Sequence, residues 1–178
     1  MQGKTLRASG LPAAQPRCER TVSLHRETRI VPYTAEQMYA VVAAIDRYPE
    51  FLPWCSGIRI TGREMHGDVE FVTARMDVSY FAFRESYVSR VRLDFPALMI
   101  EARHVQGPFK KLDNRWRFVP LETHGSEVHF LIDFSLSNPV FQAVAGAAFG
   151  LVAARMQEAF ISRADSLYGE SRVASSSS

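Results

Sequence analysis

The strongest constraint on the fold is one helical stretch at the C-terminal end of the chain. Asn138 can cap its first turn, and Pro139 suits the first helical position, where no backbone N–H is needed. Gly169 is a typical helix stop. About thirty residues at 1.5 Å each give a helix of roughly 45 Å, which is unusually long for a domain within 178 residues. We therefore expect the rest of the fold to be organised around this helix.

Six strand-like segments separated by short turn signals lie between Ser56 and Leu136. Alternation is clearest in the last segment, where five apolar side chains share one face. These are Val128, Phe130, Ile132, Phe134 and Leu136. In the preceding segment, Trp116 and Phe118 point one way while Arg115 and Arg117 point the other. Strands with one apolar face are typical of an antiparallel sheet with a single solvated side.

The N-terminal third predicts one further strand and a capped helix. The run from Glu19 to Val31 alternates loosely and is read as the strand. Its expected inward residues are Val22, Leu24 and Ile30. Thr34 and Gln37 have the spacing of a capping box. The apolar stripe of the helix is Met38, Val41, Val42 and Ile45, and Tyr48-Pro49 is expected to end the helix.

This order of elements predicts an α+β helix-grip fold, a curved antiparallel sheet wrapped around the long C-terminal helix. Such a fold has an apolar cavity between sheet and helix. A hydrophobic content of 47% suits one folded domain, which we expect to span residues 19–169. Residues 1–18 are expected to form a flexible leader and residues 170–178 a disordered tail. The leader is basic and lacks acids, so a remnant of a mitochondrial presequence is the alternative interpretation.

The residues that usually carry catalysis or bind metals form no recognisable motif in this sequence. Cys55 has no neighbouring histidine to activate a thiolate, so we interpret it as a small buried residue. The five histidines are scattered and have no zinc-ligand spacing with a cysteine or carboxylate. Asp77 and Glu85 are imaginable as an acid–base pair, but isolated strand carboxylates are usually solvated or ion-paired. We therefore expect neither an enzyme nor a metal site.

Small residues crowd the first half of the long helix, including Gly146 and Gly150. Glycine inside a helix costs about 1 kcal/mol relative to alanine, so these positions need a compensating reason. One interpretation is a close approach of helix to sheet. The other is space for a flat or chain-like apolar ligand between them, and shallow membrane contact is a third.

Three stretches together resemble the coenzyme Q-binding START-domain family, part of a polyketide cyclase/START superfamily that also contains ribosome-associated toxins. They are VPYTAEQMYAVVAAIDRYPEFLPWCSGIRI from residue 31, GPFKKLDNRWRF from residue 107 and MQEAFISRADSLYG from residue 156. The resemblance covers roughly residues 25 to 169 and implies a START-like helix-grip fold. It also implies a bound ubiquinone or similar isoprenoid lipid, no metal or covalent cofactor, and support of respiratory electron transport without catalysis. The fold alone does not imply the function.

The residues expected to line or gate the cavity are aromatic residues and one proline. These candidate ligand-binding residues are Phe51, Pro53, Trp54, Tyr80, Phe109, Trp116 and Phe149. Trp54, in the segment YPEFLPWC, suits a pocket rim with one wet side, although Phe51 and Leu52 are also read as core. On residue type alone, the polar groups that would orient the quinone carbonyls are Tyr39, Tyr80 and Asn114.

The charge of the chain allows an anionic partner without requiring one, since the formal net charge is +2. Lys110 and Lys111 follow Phe109, and we expect them to touch lipid headgroups during peripheral membrane contact. The alternative, implied by the toxin relatives, is a ribosome-associated protein that binds the large subunit and blocks subunit association. The expected location is the cytoplasmic side of a bacterial inner membrane, or the mitochondrial matrix and inner membrane.

Overall fold

The computed structural model describes residues 23–80 and 83–169 of the chain. The predicted leader 1–18, the predicted tail 170–178 and the start of the first predicted strand lie outside these residues. Seven strands and two α-helices make up the described chain. They are β1 (Ser23–Val31), α1 (Ala35–Ala43), β2 (Cys55–His66), β3 (Val69–Tyr80), β4 (Phe83–Asp94), β5 (Met99–Gln106), β6 (Phe109–Pro120), β7 (Ser126–Leu136) and α2 (Pro139–Tyr168). A 3₁₀ helix, Ile45–Glu50, follows α1.

All seven strands form one antiparallel sheet in the order β1-β7-β6-β5-β4-β3-β2. The six strands predicted between residues 56 and 136 are therefore confirmed as β2 to β7. Register shifts interrupt the β2–β3, β4–β5 and β6–β7 ladders, and such bulges bend a sheet and increase its twist. The predicted α+β fold, a curved sheet with a long C-terminal helix, is confirmed.

Alternation along β7 sets the concave face of the sheet. The five apolar side chains predicted to share a face are buried, and the residues between them are partly exposed. The adjacent β6 repeats the pattern, because Trp116 and Phe118 are buried whereas Arg115 and Arg117 are exposed. Burial of these apolar side chains at about 25 cal/mol per Å² is the main force that holds the sheet against the helices.

The predicted facing of β1 is wrong. Leu24 is 54% exposed and Ile30 is 70% exposed, while Val22 lies outside the described residues. In the observed register, Glu27 lies opposite Phe130, whose side chain is buried. Opposite residues of an antiparallel pair project to the same face, so β1 turns its charged positions toward the helix. Pairing with the apolar face of β7 overrides the weak alternation of β1 itself.

The inward charge of β1 is compensated by α2. Gln157 is fully buried, and with its amide oriented to satisfy both polar atoms, Nε2 donates to Glu27 Oε2 at 2.9 Å. Arg29 Nε donates to the same carboxylate at 2.5 Å and His25 lies 3.1 Å from it. Burial alone would raise the pKa of Glu27, but the hydrogen bonds from Arg29 and His25 lower that pKa below its ordinary value.

The first helix begins as predicted and ends early. Thr34 and Gln37 form the capping box with both reciprocal hydrogen bonds. The α-helix ends at Ala43, before the predicted stop at Tyr48-Pro49, and the chain continues as the 3₁₀ helix that contains Pro49. Tyr48 Oη donates to the Val42 carbonyl at 2.5 Å, which holds this second turn against α1.

The C-terminal helix has the predicted bounds, starting at Pro139 and running for 30 residues. At its end, Gly169 N donates to the Asp165 carbonyl at 2.8 Å. A Cβ on Gly169 would lie 2.4 Å from that carbonyl oxygen, so only glycine fits this stop. None of the helices in the described part of the chain is long and apolar enough to cross a membrane.

Candidate ligand-binding site

One half of the space between the sheet and α2 is filled by aromatic core. Trp116 is 4% exposed, and its ring centroid lies 4.3 Å from Phe130 and 5.1 Å from Phe160 of α2. Phe118 stacks beside Trp116 with its ring nearly parallel. Trp116, a predicted ligand-binding residue, therefore has a packing role in this structure, and its contact with a ligand stays a prediction.

The other half of the concave face carries two polar side chains. Asn114 lies between the buried Leu112 and Trp116 on β6, opposite Ala102 of β5. His104 follows Ala102 by two residues, so it projects to the same face. Asn114 Oδ1 and His104 Nδ1 are both buried and lack a hydrogen-bond partner among the described residues. A buried polar atom without a partner costs about 1–3 kcal/mol, so both atoms would gain from a bound polar group.

The long helix α2 runs along β7. Near the start of α2, Gln142 Oε1 accepts a hydrogen bond from Leu136 N at 2.6 Å, while Gln157 is anchored beside β1 as described above. Fifteen helical residues cover about 22 Å, close to the roughly 27 Å from Leu136 back to Val128 along β7. The helix therefore runs antiparallel to β7.

Phe109 closes the polar half on one side. Its ring makes edge contacts with Tyr87, His104 and Phe134, with centroid distances of 5.1, 6.0 and 6.0 Å. Tyr87 Oη donates to Met76 Sδ at 3.0 Å, and burial raises the pKa of Tyr87. Phe109 is thus the predicted ligand-binding residue that the structure brings next to the unpartnered His104.

A slit opens between β5 and β6 beside Phe109. The ladder between these strands runs only from Met99–Arg117 to Arg103–Asp113. Beyond it, register shifts occur in β4–β5 near His104 and in β6–β7 near Lys110. The resulting cleft has a volume of about 370 Å³. Its lining residues are Arg103, His104, Lys110, Lys111, Leu112 and Asp113.

The turn at the end of the slit depends on a glycine. Gly107 has φ +135°, and a Cβ there would lie 2.6 Å from Tyr87 Cβ. Ser137 N donates to the Pro108 carbonyl at 2.7 Å, which ties the turn to the end of β7. The turn that carries Phe109, Lys110 and Lys111 is therefore packed against β4 and fastened to β7.

The segment YPEFLPWC forms a corner between the 3₁₀ helix and β2. Trp54 is 6% exposed, so it belongs to the core and not to the wet rim expected for it. Pro53 is exposed, whereas Cys55 is buried and burial raises the pKa of its thiol. Phe51 is half-buried, with its centroid 5.2 Å from Phe160. Ligand binding by Phe51, Pro53 and Trp54 stays a prediction.

A groove of about 300 Å³ borders this corner on the outside. It lies between α1 and the C-terminal end of α2. The lining residues are Ala40, Val41, Ala44, Arg47, Phe51, Arg163, Leu167 and Tyr168. The Arg163 guanidinium lies 5.6 Å above the Phe51 ring and its Nη2 donates to Glu50 at 2.7 Å, so the aromatic and basic groups of this groove are already engaged with each other.

The remaining predicted residues are dispersed. Tyr39 packs against Phe95 and Phe118, and burial raises its pKa to about 12, with a smaller contribution from Asp94. It is therefore beside the filled half, away from Asn114. The side chains of Tyr80 and Phe149 lie outside the described part of the structure.

The imagined acid–base pair does not assemble. Glu85 lies opposite Val78, which packs on the core, whereas Asp77 is the neighbouring strand position and projects to the other face. Hydrogen bonds from Ser86 and Arg75 lower the pKa of Asp77, so this carboxylate is a solvated, ion-paired group. Within residues 23–80 and 83–169, no three histidine, cysteine or carboxylate side chains are grouped to hold a metal ion.

Sequence reasoning missed His104 and the slit. Alternation in β5 could have identified His104, because Ile100, Ala102 and His104 are at alternate positions of the strand and Ile100 is buried. The slit had no such signal, since it depends on two register shifts in ladders with other strands.

Known proteins are similar to this chain in sequence and fold. A sequence profile described as "Polyketide cyclase / dehydrase and lipid transport" matches residues 31–161. The ribosome association toxin RatA of Escherichia coli K12 is 36% identical over 141 residues, covering 79% of this chain and 86% of that protein. A mitochondrial coenzyme Q-binding protein, COQ10 of Dictyostelium discoideum, is 30% identical over 146 residues, covering 81% and 70%.

A solved structure agrees with these relatives. The solution structure of the 18 kDa protein CC1736 from Caulobacter crescentus superposes with a TM-score of 0.70 at 35% identity, covering 82% of this chain and 98% of that one. The profile match over residues 31–161 spans α1, β2 to β7 and the residues that line the slit. The chain therefore belongs to the polyketide cyclase / dehydrase and lipid transport family, with the START-like helix-grip fold that its motifs predicted.

Proposed function

We propose that this protein is a non-enzymatic carrier of an isoprenoid quinone of the ubiquinone type. The observation that carries the proposal is the buried, unpartnered Asn114 Oδ1 between apolar neighbours, Leu112 and Trp116, on the concave face. A site with a large apolar wall and a few convergent polar groups is typical of small-molecule binding. The similarity to a coenzyme Q-binding protein supports the same ligand class.

The polar half of the cavity suits the quinone head. A carboxamide presents either its oxygen or, turned by 180°, its NH₂ group, so Asn114 can donate to a quinone carbonyl. His104 Nδ1 can donate to the second carbonyl or to a methoxy oxygen when its proton is on that nitrogen. Ala102, opposite Asn114 on β5, presents only a methyl group at this position.

The isoprenoid tail would lie along the small-residue segment of α2. Apolar burial at about 25 cal/mol per Å² supplies the binding energy. Phe109 and Phe134 form the adjoining wall, and the turn with Lys110 and Lys111 would meet the membrane from which the quinone is extracted. In this proposal, the protein supports respiratory electron transport by moving quinone, and no side chain acts as a nucleophile or base.

The test is native mass spectrometry and organic extraction of the protein purified from a ubiquinone-producing host. We expect about one quinone per chain in the wild type and less than a tenth of that in Asn114→Leu, since a lost buried hydrogen bond costs about 1–3 kcal/mol. Gln106→Leu, an exposed amide on the neighbouring strand, is the matched control and should retain the ligand. An empty wild-type protein that refuses added ubiquinone contradicts the proposal.

Ribosome association is the second candidate function. It is favoured by the 36% identity to a ribosome association toxin and by the basic rim of the slit, where Arg103, Lys110 and Lys111 meet. Phosphates of ribosomal RNA would be the partners of these cations.

The discriminating experiment is co-sedimentation with purified large ribosomal subunits at low and high salt. If the rim binds RNA, Lys110→Glu with Lys111→Glu abolishes sedimentation, while reversal of Arg59, an exposed residue of β2, leaves it largely intact. Sedimentation that is unaffected by the two lysine changes argues against this surface as the contact. If neither the wild type nor the variants sediment with the subunits, ribosome association is removed as a candidate.

A further inference from the structure

The slit between β5 and β6 has an excess of positive charge at its outer rim. Lys111 Nζ is hydrogen-bonded to Asp133 Oδ2, and Arg103 lies 3.9 Å from Asp113. Lys110 also lines the slit, and no carboxylate within the described residues is at ion-pair distance from it. Asp133 therefore holds Lys111 and Asp113 lies near Arg103, whereas Lys110 has no such acidic neighbour among the described residues.

The inner wall of the slit is different in character. His104 lines the slit and its Nδ1 is buried without a partner among the described atoms. Beside it are the buried Leu112 and the ring of Phe109, whose centroid is 6.0 Å from the His104 ring. A ligand in the slit would thus meet cations outside, and the His104 ring and apolar surface inside.

The backbone of the slit adds hydrogen-bonding capacity. Past the Arg103–Asp113 pair, β5 and β6 form no ladder with each other. The facing strand edges are therefore not joined as a ladder there, and a sheet edge can form an anion-binding concavity. Both strands remain paired on their other sides, so the opening is held by the fold.

We propose that this slit binds the phosphate group of an amphiphile, with the phosphate between Lys110 and His104 and the chain directed toward Leu112 and Phe109. Lysine acts as a point charge for phosphate oxygens, and charge-assisted hydrogen bonds of this kind are roughly twice as strong as neutral ones. A free phosphate has the same head chemistry, but it would leave the apolar inner wall unused. This site shares His104 and Phe109 with the proposed quinone site, but its phosphate contact depends on Lys110, whereas the quinone contact depends on Asn114.

The experiment is isothermal titration calorimetry of the full chain with dihexanoyl phosphatidic acid, below its micelle concentration. Inorganic phosphate and dihexanoylglycerol are the two other ligands, and they separate the contributions of head and chain. We expect the lipid to bind at least about tenfold more tightly than phosphate, which in turn binds more tightly than the uncharged diacylglycerol.

Variants assign the binding to the slit. Lys110→Ala is an exposed change that should leave the fold intact and weaken lipid binding about tenfold. His104→Leu should weaken it by a similar factor, with circular dichroism to check folding. Arg117→Ala removes an equal charge from an exposed position of the same strand and should change binding by less than about twofold.

The outcomes are distinct. Equal affinity for phosphate and lipid, with the same dependence on Lys110, supports the phosphate site and identifies free phosphate as its ligand. An equal loss in Arg117→Ala and Lys110→Ala overturns the proposal, because it shows only general electrostatic attraction. Binding of single-stranded RNA through Lys110 with no lipid binding also overturns it. Asn114→Leu should retain lipid binding while losing quinone, so failure of either proposal is recognised separately.

Discussion

Replacement of Asn114 by leucine should stabilise the ligand-free protein while it abolishes quinone binding. In the empty protein, Asn114 Oδ1 is buried without a hydrogen-bond partner among the described residues, and such an atom costs about 1–3 kcal/mol. Its neighbours on the same face, Leu112 and Trp116, are buried and apolar, so a leucine of similar size would pack against them. We therefore expect the free energy of unfolding of the delipidated protein to rise by about 1–2 kcal/mol.

The assay is urea and thermal unfolding of delipidated protein followed by circular dichroism. For a domain of this size, 1 kcal/mol corresponds to a shift in Tm of about 2–4 °C. Gln106→Leu, on an exposed position, should change stability by less than about 0.5 kcal/mol. If Asn114→Leu instead lowers stability by about 1 kcal/mol or more, the amide has a partner within the protein, and the structural basis for the ligand site is refuted.

Three further changes test the packing, the turn and the charged contact around the site. Phe160→Ala should lower the free energy of unfolding, measured by urea denaturation, by about 3–5 kcal/mol. The reason is that Phe160 is 2% exposed and packs α2 against Trp116. A loss below about 1 kcal/mol would contradict that packing role. Gly107→Ala should lower the free energy of unfolding by at least about 1 kcal/mol, because Gly107 has φ +135° and an added Cβ would lie 2.6 Å from Tyr87 Cβ. An unchanged urea midpoint would contradict this prediction, because it would show that the turn adapts to the side chain. The pKa of Glu27 is lowered in the folded state, so the stability it contributes is present above its unfolded pKa and is lost as pH falls through the lower folded value. The advantage of wild type over Glu27→Gln in urea midpoint should therefore be seen at pH 7 and shrink below about pH 4, and a pH-independent difference would count against the ionised contact.

The candidate site was only partly predictable. Asn114 was named on residue type, and the structure gives it an unpartnered buried oxygen, while Phe109 was named as lining and lies beside His104. Trp54 was expected at a wet rim and is buried in the corner that begins β2. Tryptophan is compatible with either environment, and its neighbours Pro53 and Cys55 do not distinguish them.

Local chemistry in the sequence determined the secondary structure and its facing where the signals were strong. The caps at Thr34 and Gly169 depend on hydrogen bonds within a few residues, and the strict alternation of β7 leaves one possible buried face. These features can be read from the chain because the interacting atoms are close in sequence.

Only the tertiary structure decided which face of β1 is inward and where β5 and β6 separate. The facing of Glu27 follows from its register with Phe130, and the slit follows from shifts in ladders that β5 and β6 make with their other neighbours. Register is a property of two strands distant in sequence, and moving it by one residue reverses every side chain. The sequence of one strand therefore does not specify the register, and the site that depends on this register forms only when the sheet is assembled.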